Sequence, residues 1–186
     1  MFSPIHTDTI LQRCELEPGL EAFRCPKSGG YWIPLQSYMI WQERHRARIS
    51  PLPSDYQPRW EEGQEQRTLI CPESGCVLLR YRVGNGLGFR IDRSPKTGGI
   101  WLDAGEWDAL KSKSLHEELH LIFGAPYQRR IRTEESHARL RQLFAQRIGS
   151  ADSVRVNEFK NWLRRHPRQR DIVAYLLDED ATDALS

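Results

Sequence analysis

Hydrophobic and polar residues alternate between residues 77 and 91, and this period-two pattern predicts a β-hairpin. Its arms are residues 77–83 and 87–91, which are joined by a Gly-Asn-Gly sequence typical of a tight turn. Further strands are predicted to begin at Trp32 and Trp101, each of which closely follows a pair of glycines. The N-terminal part of the chain is therefore expected to be rich in β-strands.

Helical spacing of apolar residues predicts helices in both halves of the chain. The first is expected over residues 36–48, with Tyr38 and Trp41 on one side. Two capping boxes, Asp103 with Glu106 and Ser114 with Glu117, predict helices that begin at Ala104 and cover residues 115–123. Three more are expected over residues 126–147, 152–165 and 168–178. The whole pattern predicts an α+β fold.

A four-residue motif that resembles the head of a zinc knuckle, Cys-Pro-x-Cys, occurs four times. The copies are residues 3–6 (Ser-Pro-Ile-His), 25–28 (Cys-Pro-Lys-Ser), 71–74 (Cys-Pro-Glu-Ser) and 94–97 (Ser-Pro-Lys-Thr). The first pair leaves 18 residues between its heads and the second pair leaves 19, whereas a paired zinc ribbon leaves roughly 15 to 20. A diglycine follows each second head, where positive φ angles would let the backbone turn tightly. The spacing therefore predicts two ribbon-like units.

The stretch over residues 93–107 carries a family resemblance. It reads Arg-Ser-Pro-Lys-Thr-Gly-Gly-Ile-Trp-Leu-Asp-Ala-Gly-Glu-Trp, and it resembles the bacterial zinc-ribbon family related to the ribbon of transcription factor IIB. That family usually reads Cys-Pro-x-Cys-Gly-Gly-x-Trp-Leu-Asp-x-Gly-Glu. The resemblance extends over residues 2–35 and 70–112, and it implies two degenerate zinc-ribbon-like (rubredoxin-knuckle) β units followed by an α-helical C-terminal region.

Most of the metal-ligand positions of these ribbons hold residues that bind zinc poorly. The first ribbon keeps His6 and Cys25, and the second keeps Cys71, with Cys76 displaced by two residues. Ser and Thr hydroxyls are poor substitutes for thiolates, so we expect neither a metal nor another cofactor, and apolar packing in place of the ion. A mixed site that includes Cys14 and the other cysteines is an alternative with the wrong local spacing. The pseudo-knuckle positions are Ser3, His6, Cys25, Ser28, Cys71, Ser74, Ser94 and Thr97.

Residues 116–120 (His-Glu-Glu-Leu-His) match the H-E-x-x-H pattern of zinc peptidases. In that interpretation His116 and His120 would bind zinc, Glu117 would act as the general base, and Glu134, Glu135 or His137 would supply a third ligand. A second charge at Glu118, a short helix and an ordinary apolar stripe argue against it. We expect the protein not to be an enzyme.

Positive charge is concentrated in one segment. Residues 128–171 contain 12 Arg and Lys against 5 Asp and Glu, an excess of seven positive charges, and an acidic tail follows. Arginine binds phosphate through paired hydrogen bonds, so this segment is a candidate surface for nucleic acid or another partner; a solvated helix face is the simpler interpretation. The candidate residues are Arg129, Arg130, Arg132, Arg139, Arg141, Arg155, Arg164, Arg165, Arg168 and Arg170.

Four regions follow from these patterns: residues 1–50 as ribbon 1 with a helix, 51–68 as a linker, 69–123 as ribbon 2 with helices, and 124–186 as a basic helical region. Without a long apolar run or a signal peptide, the chain is expected to be cytoplasmic and without membrane contact. The expected function is a non-catalytic adaptor that binds a protein partner, and the family resemblance implies a partner in the transcription or translation machinery. Direct DNA or RNA binding is the first alternative and zinc peptidase activity the second. The oligomeric state stays open.

Overall fold

Six strands form one antiparallel sheet, which confirms the predicted α+β class. The computed structural model describes residues 1–45 and 67–178, and almost all of the predicted linker lies outside them. The sheet has the order β1-β2-β3-β6-β5-β4. The strands are β1 (Gln12–Glu17), β2 (Leu20–Arg24), β3 (Tyr31–Ile33), β4 (Leu79–Gly84), β5 (Leu87–Arg93) and β6 (Ile100–Leu102). Each predicted ribbon thus supplies three consecutive strands, and the two sets meet where β3 pairs with β6.

The centre of the sheet is a symmetric pair of tryptophans. Trp32 lies opposite Trp101 in the β3–β6 register, and both side chains are buried. An added Cβ at Gly99 would lie 2.2 Å from Cζ2 of Trp32, and one at Gly30 would lie 2.5 Å from Cζ2 of Trp101. Each tryptophan therefore packs on the second glycine of the other half's diglycine.

This contact corrects the sequence interpretation of the diglycines. Only the first glycine of each pair has a positive φ, 74° at Gly29 and 75° at Gly98. The first glycine serves the turn, as predicted, because a left-handed conformation is costly for residues with a Cβ. The second glycine instead leaves room for an indole from the opposite half.

The two faces of the sheet carry separate apolar clusters. Successive side chains in a strand point to opposite faces, so Ile33 and Ile100 pack with the helices on one face, while their neighbours Trp32 and Trp101 pack with Cys25 on the other. The apolar packing expected to replace the metal is present in both ribbons. Val77 and Leu79 of the second ribbon are exposed and take no part in it.

Helix α1 (Leu35–His45) follows β3 and helix α2 (Glu106–Ser112) follows β6, so both halves have the same element order. Trp41 of α1 and Trp107 of α2 pack edge to face, with ring centroids 5.8 Å apart. The predicted first helix forms, although its last residues, 46–48, lie outside the described part. These helices cover the face of the sheet that holds Ile33 and Ile100.

Both predicted capping boxes differ in the structure. At the first, Glu106 accepts a hydrogen bond from the Asp103 backbone N–H (2.9 Å), but Asp103 binds the Trp101 indole N–H (2.8 Å) and the helix begins two residues later than predicted. At the second, Ser114 has a φ of 54° and caps nothing. A 3-10 turn, His116–Glu118, and a short helix α3 (Leu119–Ile122) take the place of the predicted single helix.

Helix α4 (Ala125–Ile148) begins against the edge strand β4. Gln128 exchanges two hydrogen bonds with the Arg82 backbone, accepting from N–H at 3.2 Å and donating to the carbonyl at 2.8 Å. Tyr127 donates to the Val83 carbonyl (2.6 Å). Ile131 is buried and occupies the space above Gly84. The first two turns of α4 thereby cover the β4 edge of the sheet, which would otherwise be open to strand addition.

The chain divides into two compact units, residues 1–132 and 133–186. The described part of the second unit holds the rest of α4, then α5 (Ser150–Arg165) and α6 (Gln169–Leu176), close to the three predicted helices. Between residues 133 and 178 Ser153 is the one buried residue. The region boundaries drawn from the sequence stay predictions.

Candidate functional site

Three of the four pseudo-knuckle heads share one backbone conformation. In the head that starts at Cys25, its N–H donates to the Gly30 carbonyl and its carbonyl accepts from the Gly29 N–H, both at 2.8 Å. The heads that start at Cys71 and Ser94 repeat the same two bonds within 0.2 Å. The first head differs, because the Ser3 N–H donates to the carbonyl of Thr9. The knuckle conformation is therefore kept in a sequence with few sulfur ligands.

Serine hydroxyls take over the hydrogen bonds within these heads. Ser94 Oγ is buried and accepts from the backbone N–H groups of Lys96 (3.3 Å) and Thr97 (3.1 Å). Ser3 Oγ accepts from the N–H groups of Ile5 and His6, both at 3.3 Å. Such local side-chain bonds satisfy turn amides without an ion.

Hydroxyls at the second ligand position of the heads that start at Cys25 and Ser94 also accept from turn amides. Ser28 Oγ accepts from the Gly30 N–H and Thr97 Oγ1 accepts from the Gly99 N–H, both at 3.3 Å. The sequence interpretation missed the hydrogen bonds that Ser3 and Ser94 accept from turn amides. Both residues occupy the first ligand position of their heads. Hydroxyls therefore hold turn amides in the heads that start at Ser3, Cys25 and Ser94.

Two thiols and three hydroxyls meet at the second pseudo-knuckle pair. Cys76 Sγ lies 3.2 Å from Ser74 Oγ and 3.5 Å from Ser94 Oγ, and Cys71 Sγ lies 3.8 Å from Thr97 Oγ1. Burial raises the pKa of the Cys71 thiol, but hydrogen bonds from Ser74 and Ser94 outweigh that effect and lower the pKa below its ordinary value. The displaced Cys76 thus reaches the cluster that its spacing appeared to exclude.

This donor set does not fit a structural zinc ion. Such an ion needs four thiolate, imidazole or carboxylate ligands, and hydroxyls fill most of the positions around Cys25 and Cys71. Within residues 1–45 and 67–178, no group of three or more His, Cys, Asp and Glu side chains is arranged to hold a metal. The mixed four-cysteine alternative is wrong, because Cys14 packs on the face opposite to that of Cys25 and Cys71.

The histidines of the peptidase-like motif have structural contacts. His116 packs against Trp41 and Trp107, with centroid distances of 6.0 and 5.7 Å, and burial lowers the pKa of its imidazole. His120 lies in α3, and its Nδ1 is 3.0 Å from Gln42 Nε2. The helical i, i+4 arrangement that would place both histidines on one face is absent from this segment, because the 3-10 turn interrupts it. The possible third ligands, Glu134, Glu135 and His137, belong to the second unit.

The carboxylates of Asp92, Asp103 and Glu106 lie close together beside the central strands. Arg80 Nε binds Asp92 Oδ1 at 3.0 Å. Burial, followed by the charges of Asp103 and Asp92, raises the pKa of Glu106 well above its usual range. Burial raises the pKa of Asp92 and of Asp103 as well. Because Asp103 and Glu106 are bonded to backbone and indole groups, the cluster supports the start of α2.

A cleft of about 430 Å³ lies beside β4 and β5, and we call it the basic cleft. Three of its arginines come from the hairpin and the fourth comes from α4. The hairpin arginines were missed by the sequence interpretation, although Arg80, Arg82 and Arg90 alternate with apolar residues along both arms. The lining residues are Arg80, Tyr81, Arg82, Arg90, Phe123, Ala125, Gln128 and Arg132.

The arginines singled out from the sequence are all exposed, and they divide between the units. Arg129, Arg130 and Arg132 lie on the first two turns of α4, and Arg132 also lines the basic cleft. The others belong to the second unit, on α4 to α6 or, for Arg168, just before α6: Arg139, Arg141, Arg155, Arg164, Arg165, Arg168 and Arg170.

Comparisons with protein-family models, with curated proteins and with solved structures found no match for this chain. No helix in the described ranges has the length and hydropathy that a membrane span requires.

Proposed function

We propose that this protein is a non-catalytic adaptor whose C-terminal helices bind a protein partner. The observation that carries this proposal is a set of exposed apolar side chains in the second unit, here called the apolar set. It consists of Leu140, Leu143, Phe144, Val156, Phe159, Trp162, Tyr175, Leu176 and Leu177.

The apolar set follows helical spacing, so it forms stripes rather than isolated residues. Leu140, Leu143 and Phe144 lie three and four positions apart and share one face of α4. On α5, the rings of Phe159 and Trp162 are 5.5 Å apart, and half of the Trp162 surface (51%) is exposed. Monomeric proteins rarely expose contiguous apolar surface of this kind, and larger patches mark interaction sites.

The positive charge around the apolar set indicates which kind of partner surface would complement it. Residues 128–171 carry the excess of seven positive charges, and Arg139, Arg141, Arg164 and Arg165 flank members of the apolar set. A partner with an apolar centre and an acidic rim would complement this surface, because rim charges steer association while buried aromatic and aliphatic groups hold the complex. The resemblance to the transcription factor IIB-related ribbons is the ground for seeking it in the transcription or translation machinery.

The sheet unit supports a scaffold role in this proposal. Its knuckles are held by hydroxyls, its peptidase-like histidines are engaged in packing, and its carboxylate cluster supports a helix start. In this proposal the sheet unit is stabilised by these contacts and not by a bound ion.

The test compares affinity capture by the full chain with capture by two double variants. Phe144→Ser with Trp162→Ser removes two apolar anchors, and Arg139→Gln with Arg141→Gln is the matched control that keeps them. We expect the apolar variant to lose one specific protein partner by roughly 30-fold or more in affinity, as removal of a hot spot does, and the arginine variant to change it much less.

Two other outcomes would refute the adaptor proposal. Retention on nucleic acid that falls steeply with salt and is lost in the arginine variant would favour direct DNA or RNA binding. A dimer of the wild type in light scattering, abolished by the apolar variant, would assign the apolar set to self-association.

A further inference from the structure

Two cysteines of the second ribbon face each other across a short antiparallel turn. Ile70 pairs with Val77 in an antiparallel bridge, so Cys71 and Cys76 are the next opposed pair. The Cys71 N–H donates to the Cys76 carbonyl at 2.8 Å. Directly opposed residues of an antiparallel pair carry their side chains on the same face, so both thiols lie on one side of this turn.

The two sulfur atoms also share their neighbours. Cys76 Sγ lies 3.2 Å from Ser74 Oγ and 3.5 Å from Ser94 Oγ, and both hydroxyls are hydrogen-bonded to the Cys71 thiol as well. Opposed Cα atoms in a hydrogen-bonded antiparallel pair are about 5.5 Å apart, within the range of roughly 4.4 to 6.8 Å that a disulfide spans. Neither cysteine is in a disulfide in the structure. The backbone thus already has the spacing that a bond between the two sulfurs requires.

The two thiols differ in their access to solvent. Cys71 is buried, with 2% of its surface exposed, whereas Cys76 is partly exposed. An added Cβ at the neighbouring Gly75 would meet nothing within 4 Å, so the tip of this turn is open. Hydrogen bonds from Ser74 and Ser94 lower the pKa of the Cys76 thiol, and the thiolate is the form that reacts. Cys76 is therefore the thiol that a dissolved oxidant meets first.

We propose that Cys71 and Cys76 form a site of reversible oxidation by small hydroperoxides, with hydrogen peroxide as the simplest case. The Cys76 sulfur attacks one peroxide oxygen, so that an S–O bond forms and the O–O bond breaks; the other oxygen takes up the proton released by the Cys76 thiol and leaves as water. The Cys71 sulfur then attacks the sulfenic sulfur of Cys76. The S–S bond forms, the S–O bond breaks, and the departing hydroxyl leaves as water with the proton of the Cys71 thiol. The electron pair comes from the two thiols, and the peroxide is reduced.

The first ribbon lacks the second thiol of this pair. Cys25 occupies the position of Cys71 and makes the same two backbone bonds, but Gly30 stands where the second ribbon has Cys76. Cys14 packs on the opposite face of the sheet, and burial raises the pKa of its thiol. The oxidation site is therefore specific to the head that starts at Cys71. It lies in the sheet unit and is independent of the adaptor function.

Limited oxidation of the full chain with hydrogen peroxide, followed by alkylation with N-ethylmaleimide and tryptic mass mapping, tests the proposal. Trypsin releases Cys71 and Cys76 together in the peptide of residues 68–80, apart from Cys14 and Cys25. We expect this peptide to acquire an internal disulfide at least about tenfold faster than Cys14 or Cys25 is oxidised, since susceptibility follows thiolate character and exposure. Treatment with dithiothreitol should restore both thiols.

Single variants separate the roles of the two thiols. Cys71→Ser introduces the residue that the heads at 3–6 and 94–97 already have in this position, and circular dichroism confirms that it is folded. In this variant oxidation should stop at the sulfenic acid of Cys76, which dimedone labels. Cys76→Ser should leave Cys71 unoxidised at the same peroxide dose. Cys25→Ser is the matched control, and its 68–80 peptide should oxidise as in the wild type.

Three results would overturn the proposal. The first is a 68–80 peptide that keeps both thiols while Cys14 or Cys25 is oxidised. The second is a disulfide that forms only between chains, which nonreducing electrophoresis detects. The third is an internal disulfide that forms as fast in the urea-unfolded chain as in the folded one, because the placement of the thiols by the fold would then contribute nothing.

Discussion

Replacement of Gly99 by alanine tests the contact between the two halves of the sheet. The added methyl group would lie 2.2 Å from Cζ2 and 2.9 Å from Cε2 of Trp32, whereas carbon atoms in contact are about 3.5 to 4.0 Å apart. Trp32 must therefore move by more than about 1 Å. It is fully buried, and its indole N–H binds Glu73 at 3.1 Å, so the shift disturbs both its packing and this hydrogen bond.

The magnitude follows from these contacts. Overpacking a core costs about 1 to 3 kcal/mol, and loss of the Trp32–Glu73 hydrogen bond adds about 1 kcal/mol. Replacing Gly by Ala restricts the unfolded chain and returns about 0.4 to 1 kcal/mol. We expect Gly99→Ala to lower the free energy of unfolding by about 2 to 3 kcal/mol, which for a unit of this size lowers the melting temperature by roughly 6 to 12 °C.

Urea unfolding followed by tryptophan fluorescence measures this change. The matched control is Gly86→Ala in the hairpin turn, where φ is 80° and an added Cβ meets nothing within 4 Å. In that variant only the left-handed backbone conformation is costly, and it lowers the free energy of unfolding by about 1 to 2 kcal/mol. The reasoning is refuted if Gly99→Ala unfolds within about 0.5 kcal/mol of the wild type, or if it costs no more than Gly86→Ala.

Two further predictions concern the pH dependence of stability and the pseudo-knuckle heads of the second ribbon. Because burial raises the pKa of Glu106, folding favours its protonated form; its contribution is complete below the ordinary pKa of Glu and declines as the pH rises toward the folded value. Glu106→Gln should therefore be more stable than the wild type at pH values well above the ordinary pKa of Glu, and it should flatten the decline of the free energy of unfolding in urea as the pH rises; an unchanged profile would contradict the assignment. Ser74→Cys, Ser94→Cys and Thr97→Cys together with Cys71 should restore a four-thiolate zinc site, detected by metal analysis and by a metal-dependent rise in melting temperature, whereas the wild type should retain no zinc; failure of the restored chain to bind zinc would count against ribbon ancestry.

Four of the six strands were predicted from the sequence because their signals are local, whereas β1 and β2 were not predicted. Alternation and the Gly-Asn-Gly turn located the hairpin, and the diglycines located β3 and β6. The pairing of β3 with β6 was not predictable, because neither strand's own pattern specifies a partner some 70 residues away. The role of the second glycine of each pair follows only from the structure, in which the tryptophan of the opposite half packs on it.

The candidate sites also differ in how far the sequence could predict them. Residues of the pseudo-knuckle heads lie together as their spacing predicts. The basic cleft was missed, since Arg80, Arg82 and Arg90 come from the hairpin and Arg132 from a distant helix, and only the docking of α4 on β4 unites them. The predicted cap at Ser114 does not form. Packing of His116 against Trp41 and Trp107 outweighs the local preference for a helix start.

The reciprocal Trp–Gly contact has the form of an isologous interface. Trp32 lies on Gly99 and Trp101 lies on Gly30, as equivalent residues do across the two-fold axis of a homodimer. A chain with a single ribbon could associate with a second copy through these same contacts, but only at sufficient concentration. Linking both copies in one polypeptide makes the association intramolecular, so the sheet of residues 1–132 can assemble at any dilution.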